Sequence, residues 1–168
     1  MRTSLAELGV PPDYGKDPYI PAYAEAADLV DVEANIVGRM QRLTPKTAHD
    51  WLSMKHAAFA AGVELMLVSG FRSVARQTEL FIGKLEAGQS IDEILKVNAA
   101  PGYSQHHTGK AVDIATPGCR PLTDEFEHSR AFEWLTSNAG YFAFSMPYGH
   151  DNPYGFCYEP WHWSQIEV

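Results

Sequence analysis

The sequence is short of cysteine, short of positive charge and without any long apolar run, and each shortage excludes something. Two cysteines in 168 residues, Cys119 and Cys157, cannot form a disulfide framework, and their spacing is not that of a zinc knuckle. Two free thiols is the simpler reading, with a single bridge as the alternative. Lys and Arg number 13 against 21 Asp and Glu, a formal net charge of −8. That balance argues against a nucleic-acid footprint and against an anionic membrane surface. No stretch approaches the roughly 18 apolar residues of a spanning helix. Met1 to Val10 lacks the basic flank and apolar core of a secretory leader. The expectation is therefore a cytoplasmic protein if the sequence is complete, or a periplasmic or cell-envelope one if a leader has been removed. There is no internal repeat, no low-complexity segment and no feature that calls for an obligate protein partner.

What is present suits one domain over residues 1–168. Hydrophobic residues make up 45% of the chain, and at about this length folding buries roughly 70% of the unfolded surface without staples. Residues 1–22 carry Pro11, Pro12, Gly15, Pro18 and Pro21 and read as an extended N-terminal arm on the surface. Leu29–Val32 and Arg39–Leu43 are candidate short strands around Gly38. Thr44-Pro45 is an N-cap followed by proline at the first helical position, so a helix runs from there through Trp51, Met54 and Ala58 to a stop at Gly62. Val63–Val68 reads as a buried strand, Ser73–Glu86 and Ser90–Val97 as helices, and Lys110–Ile114 as a strand entered through a Thr-Gly turn. Thr123–Asn138 is expected to be one helix, Tyr141–Ser145 a strand, Met146–Phe156 a mobile loop and Trp161–Ile166 a last strand. Short elements without a βαβ rhythm predict an α+β fold: a small, mostly antiparallel sheet with helices packed on it.

The chemistry concentrates in two places. Alternation along Lys110–Ile114 puts Val112 and Ile114 on one face and Asp113 on the other. A carboxylate in so apolar a strand needs a partner or a metal. His106, just before the turn, is a candidate partner; His107 points the other way in extended chain. Downstream, Glu159-Pro160-Trp161-His162 supplies a second carboxylate and a second imidazole. Pro160 favours a strand start, so Glu159 precedes the strand and His162 lies within it. Two His and one Asp leave a fourth zinc position open, which hydrolysis needs and a closed structural site lacks. Arg72 stands at the end of a buried strand, where a fixed cation can stabilise a tetrahedral intermediate. His49, His56 and His128 fall on solvated helix faces, and His150 on a loop.

Ser69-Gly70-Phe71-Arg72-Ser73 with Gln77, then Ser104-Gln105-His106 through Asp113, then Glu159-Pro160-Trp161-His162 resemble the three signature blocks of the VanY-type D-alanyl-D-alanine carboxypeptidases. These belong to the LAS zinc peptidases (lysostaphin, D-Ala-D-Ala peptidases, sonic hedgehog). The resemblance spans roughly Leu65 to Trp163. It implies zinc on His106, Asp113 and His162, Glu159 as general base, and Arg72 on the scissile carbonyl oxygen. It implies Gln77 and Ser104 as groups that hold the substrate's terminal carboxylate or nearby backbone. The implied substrate is a peptidoglycan stem peptide that loses a terminal D-Ala. A cytoplasmic D-Ala-D-Ala dipeptidase, an endolysin-type endopeptidase and a non-catalytic hedgehog-like zinc domain are the alternatives. The relatives often follow the final His with an aromatic, Arg and Tyr; here Trp163-Ser164-Gln165 stands. By their places beside converging strands, Cys119 and Cys157 are expected near each other.

Overall fold

The computed structural model describes residues 3–166. Its centre is a three-stranded antiparallel sheet of β3 (Met66–Ser69), β4 (Ala111–Ala115) and β5 (His162–Ser164), in the order β3-β4-β5. β4 is the middle strand and is buried along its whole length. A separate antiparallel ribbon pairs β1 (Val30–Ala34) with β2 (Met40–Leu43). The architecture is α+β, as the short irregular elements predict.

The helices begin where their caps place them. Thr44 accepts a bond from Thr47 N and Pro45 opens α1 (Pro45–Ala60), which buries Trp51, Met54 and Ala58. Ser73 caps α2 (Val74–Glu86), and Ser90 with Glu93 forms a capping box on α3 (Ile91–Val97). Each cap satisfies a backbone N–H that the first helical turn leaves without a partner.

Two expectations fail for local reasons. The span Thr123–Asn138 is not one helix but a 3₁₀ turn, Asp124–His128, and then α4 (Arg130–Asn138). Ser129 divides them: its hydroxyl donates to Phe126 O at 2.6 Å and accepts from Phe132 N at 3.1 Å, so it caps a new helix. Tyr141–Ser145 is not a strand. A 3₁₀ turn spans Ala139–Phe142, Ala143 turns the chain at φ 61°, and only Ser145 bridges, to Ser164. The last strand, His162–Ser164, is shorter than expected; just past it Gln165 N still donates to Lys110 O, and the Gln165 side chain bonds Thr47, Asp50 and the Phe142 carbonyl.

The apolar interior has two parts. The larger packs the inward faces of β3, β4 and β5 against α1 and α4, with Trp51, Met54, Leu67, Val112, Ile114, Leu135 and Trp163 at its centre. The smaller joins Leu8 and Val10 to Phe81, Ile94 and Ala100. The N-terminal arm, whose first two residues lie outside the described ones, is therefore turned and anchored by two buried side chains, not merely laid on the surface. Met146–Phe156 is also packed: Tyr148 contacts Tyr154 and Phe156 edge-on at 5.4 and 5.1 Å, and Asn152 Nδ2 donates to Gly149 O and Phe156 O. Cys119 and Cys157 are free thiols. Among the described residues no helix is long and apolar enough to cross a membrane.

Candidate active site

The sheet register builds the site. In the β4–β5 ladder Asp113 is directly opposite His162, and Val112 is opposite Trp163. Pleating therefore sends Asp113 and His162 out of one face while Trp163 enters the core. His106 arrives from a 3₁₀ turn, Gln105–Thr108, that Ser104 caps and Gly109 ends at φ 65°. A Cβ on Gly109 would lie 2.8 Å from Leu29 Cδ2 and 3.2 Å from Thr44 N, so both the angle and the space demand glycine.

His106, Asp113 and His162 each offer one ligand atom, and these atoms lie within 4.8 Å of one another. His106 Nε2 is 3.1 Å from Asp113 Oδ2, and His162 Nδ1 is 3.0 Å from Asp113 Oδ1. The far nitrogens fix the tautomers. His106 Nδ1 lies 2.7 Å from the Gly70 carbonyl, which can only accept, so that nitrogen carries the proton and Nε2 presents a lone pair. Gly70 is itself close-packed, since a Cβ there would stand 2.8 Å from the Arg42 carbonyl oxygen. His162 Nε2 lies 3.0 Å from Gln105 Oε1; with the proton on that nitrogen, Nδ1 is an acceptor. Two imidazole lone pairs and a carboxylate thus converge on one point. Such a set repels itself unless a cation sits among its members, and the N,N,O donors fit zinc, with carbonyl and amide groups orienting the rings from behind.

In the metal-free protein burial would raise the Asp113 carboxyl, but His106 and His162, donating to it in place of a metal, outweigh burial and hold the group well below the ordinary carboxylate range. Burial pushes His106 down, against the pull of Asp113, so its imidazole is neutral as a ligand must be. His107 does something else: it is fully buried, bonds the Arg72 carbonyl through Nδ1 at 2.5 Å and accepts from Gly102 N through Nε2 at 3.1 Å. It fastens the loops around the site.

Arg72 is held on three sides. It donates from Nη1 to Gln77 Oε1 at 2.9 Å and from Nη2 to Ser69 Oγ at 3.1 Å, and Nη2 lies 3.7 Å from Asp113 Oδ2. Gln77 is buried and its Nε2 donates to Ala99 O at 2.7 Å, so its contacts in this structure orient Arg72. Ser104 Oγ accepts from His106 N at 3.3 Å and lines the cavity. Glu159 stands outside the ligand cluster but in the same cavity, of about 330 Å³. Burial pushes its carboxyl up to about 7; His162 pulls it back, Asp113 adds to the rise, and Arg72 and Lys84 oppose it.

Two contributors escaped the sequence reading. Gln105 orients His162 from a position 57 residues away. The Tyr148 ring stacks on the His162 ring, with centroids 4.8 Å apart and planes 26° apart. Gln105 stands inside the Ser104-Gln105-His106 block but carries no assigned role there, and nothing in the sequence marks Tyr148, because each contact exists only after folding. His150 is exposed and stacks on Tyr158.

A family profile described as "VanY: D-alanyl-D-alanine carboxypeptidase" matches residues 40–167. The chain belongs to this family. Its relatives include YodJ of Bacillus subtilis (strain 168), 34% identical over 157 residues, which are 85% of this chain and 55% of that one. A D-alanyl-D-alanine carboxypeptidase of Enterococcus faecalis (strain ATCC 700802 / V583) is 28% identical over 148 residues, 82% of this chain and 53% of that protein. The chain spans about half the length of the curated relatives it matches. Among solved structures, the LdcB LD-carboxypeptidase superposes with a TM-score of 0.74 at 31% identity, covering 86% of this chain and 70% of that one. VanYB in complex with D-alanine-D-alanine gives 0.67 at 26% identity, covering 89% and 82%. A VanY D,D-pentapeptidase mutant in complex with Zn(II) gives the same score and identity, covering 89% and 83%.

Proposed function

We propose that the protein is a zinc-dependent carboxypeptidase that removes the terminal D-Ala from peptidoglycan stem peptides. One observation carries the reading: an open three-donor cluster shares its cavity with a carboxylate that takes no part in the cluster and is poised near neutrality. His106, Asp113 and His162 hold the metal. When bound, zinc lowers the pKa of water to around 7 and polarises a carbonyl. Glu159 accepts a proton from the attacking water at its carboxylate and passes it to the leaving amine; in the metal-free protein burial holds that carboxyl up at about 7. Arg72, fixed by Gln77 and Ser69, donates to the oxygen on which charge develops. Tyr148 covers one face of His162 and restricts water there. The ligands that relatives carry, Zn(II) in one structure and D-alanine-D-alanine in another, support this choice of metal and substrate.

The test is an assay of purified protein on D-Ala-D-Ala, a stem pentapeptide and a stem tetrapeptide, with and without chelator. Release of D-Ala from the pentapeptide or tetrapeptide, abolished by chelator and restored by zinc, is expected. Cleavage of the free dipeptide alone would make the protein a dipeptidase. Absence of cleavage by zinc-loaded protein would leave a binding domain of the hedgehog-like kind.

A further inference from the structure

Two cationic side chains line the cavity, Arg72 and Lys84, and they are held differently. Arg72 is tied to Gln77 and Ser69 and faces Asp113. Lys84, in the last turn of α2, makes no ion pair among the described residues. It lies seven residues after Gln77, so both occupy one face of the helix, and a long helical side chain leans back toward the N-terminus, here toward Gln77 and Arg72. Burial and the nearby Arg72 push its ammonium down, against the pull of Glu159. A half-buried ammonium beside a second cation wants an anion.

The reaction proposed above supplies one. A carboxypeptidase substrate carries a free carboxylate one residue past the bond that is cut. Gln77 already gives its oxygen to Arg72 and donates from its nitrogen to Ala99 O, and Ser104 is neutral. Arg72 faces Asp113, and the reading above gives it the developing oxyanion. The remaining positive charge in the cavity is Lys84.

We propose that Lys84 recognises the substrate's C-terminal carboxylate and so makes this site select chain ends over internal peptide bonds. The proposal rests on the peptidase reading. Its test uses zinc-loaded protein, a doubly acylated L-Lys-D-Ala-D-Ala whose only carboxylate is terminal, and the same peptide as its C-terminal amide. Parent protein is expected to prefer acid over amide by about tenfold to a hundredfold in kcat/KM, as for a hydrogen bond to a charged group. Lys84→Gln should lose that factor on the acid through KM, with kcat and the amide rate kept; Lys84→Arg should restore most of it. Calorimetric binding of the acid to Glu159→Gln, with and without Lys84→Gln, gives the same comparison without turnover. Acid preference that survives Lys84→Gln, or acid and amide rates that fall together, overturns the proposal while leaving the peptidase reading intact. Parent protein that cleaves both peptides equally does the same. Parent protein that neither cleaves nor binds either peptide overturns both.

Discussion

The cavity has two walls of different construction. One is the sheet wall: Asp113 and His162 opposed across β4 and β5, His106 on a capped 3₁₀ turn, all three no more than 5% exposed and both imidazoles tied from behind. The other is assembled from loops and helix ends: Glu159 before β5, Tyr148 and Phe156 from the preceding loop, Lys84 from the end of α2. The sheet wall must bring three atoms within 4.8 Å, and only a ladder with fixed register does that reliably. The loop wall, on the proposed reading, has to fit a peptide. The difference teaches where each kind of substitution will be felt.

The sheet wall should break most completely. His162→Ala removes a donor and its link to Gln105, so zinc measured by elemental analysis should fall from one per chain to none, and turnover with it. Retained stoichiometric zinc would remove His162 from the site. On the loop wall, Glu159→Gln should keep zinc yet lose about 10²–10⁴-fold in kcat. Wild-type turnover in that variant would sink the proposed base. Arg72→Ala, which bridges the two walls, should also keep zinc and lose roughly 10²–10³-fold, mainly in kcat. A rise in KM with kcat kept would assign it to ground-state binding instead. Gln105→Ala sharpens the comparison further: it touches no substrate, but frees the His162 ring, so zinc affinity in a chelator competition should drop about 10–100-fold. Unchanged affinity would show that Tyr148 stacking alone orients the ring.

The same division explains what the sequence could reveal. The sheet wall was legible because a strand's period of two, a Thr-Gly turn and a proline before β5 place Asp113 and His162 without knowledge of tertiary contacts. The helix caps Thr44, Ser73 and Ser90 were legible for the same local reason. Ser129 was not, because a serine inside an apolar helical pattern reads as continuation until its two bonds to Phe126 and Phe132 are seen. Leu8 and Val10 sit in a proline-rich segment whose burial depends on α2 and α3. Gln105 and Tyr148 act through a partner distant in the chain, His162, and no spacing rule encodes such contacts. His107 carried a signal that pointed elsewhere: its neighbour His106 suggested metal, while its own two bonds are structural.

The smallest effect separates the walls by pH instead of activity. In metal-free protein the Glu159 carboxyl is raised from 4.5 to about 7, chiefly by burial. A raised carboxyl favours the folded state in its protonated form, so the stability it confers is fully present below its unfolded pKa and is lost as pH rises through about 7. The carboxylate faces an open cavity, where screening limits the loss to about 1 kcal/mol, or roughly 2–4 °C in Tm for a chain of this size. Glu159→Gln does not titrate. With chelator present, it should melt at the same temperature as the parent at pH 4 and a few degrees higher at pH 8. The same difference at both pH values would mean that Glu159 is not held in a desolvated position. A parent more stable than the variant at pH 8 would mean that its carboxylate has a partner in the folded protein, and the free base required on the loop wall would be lost.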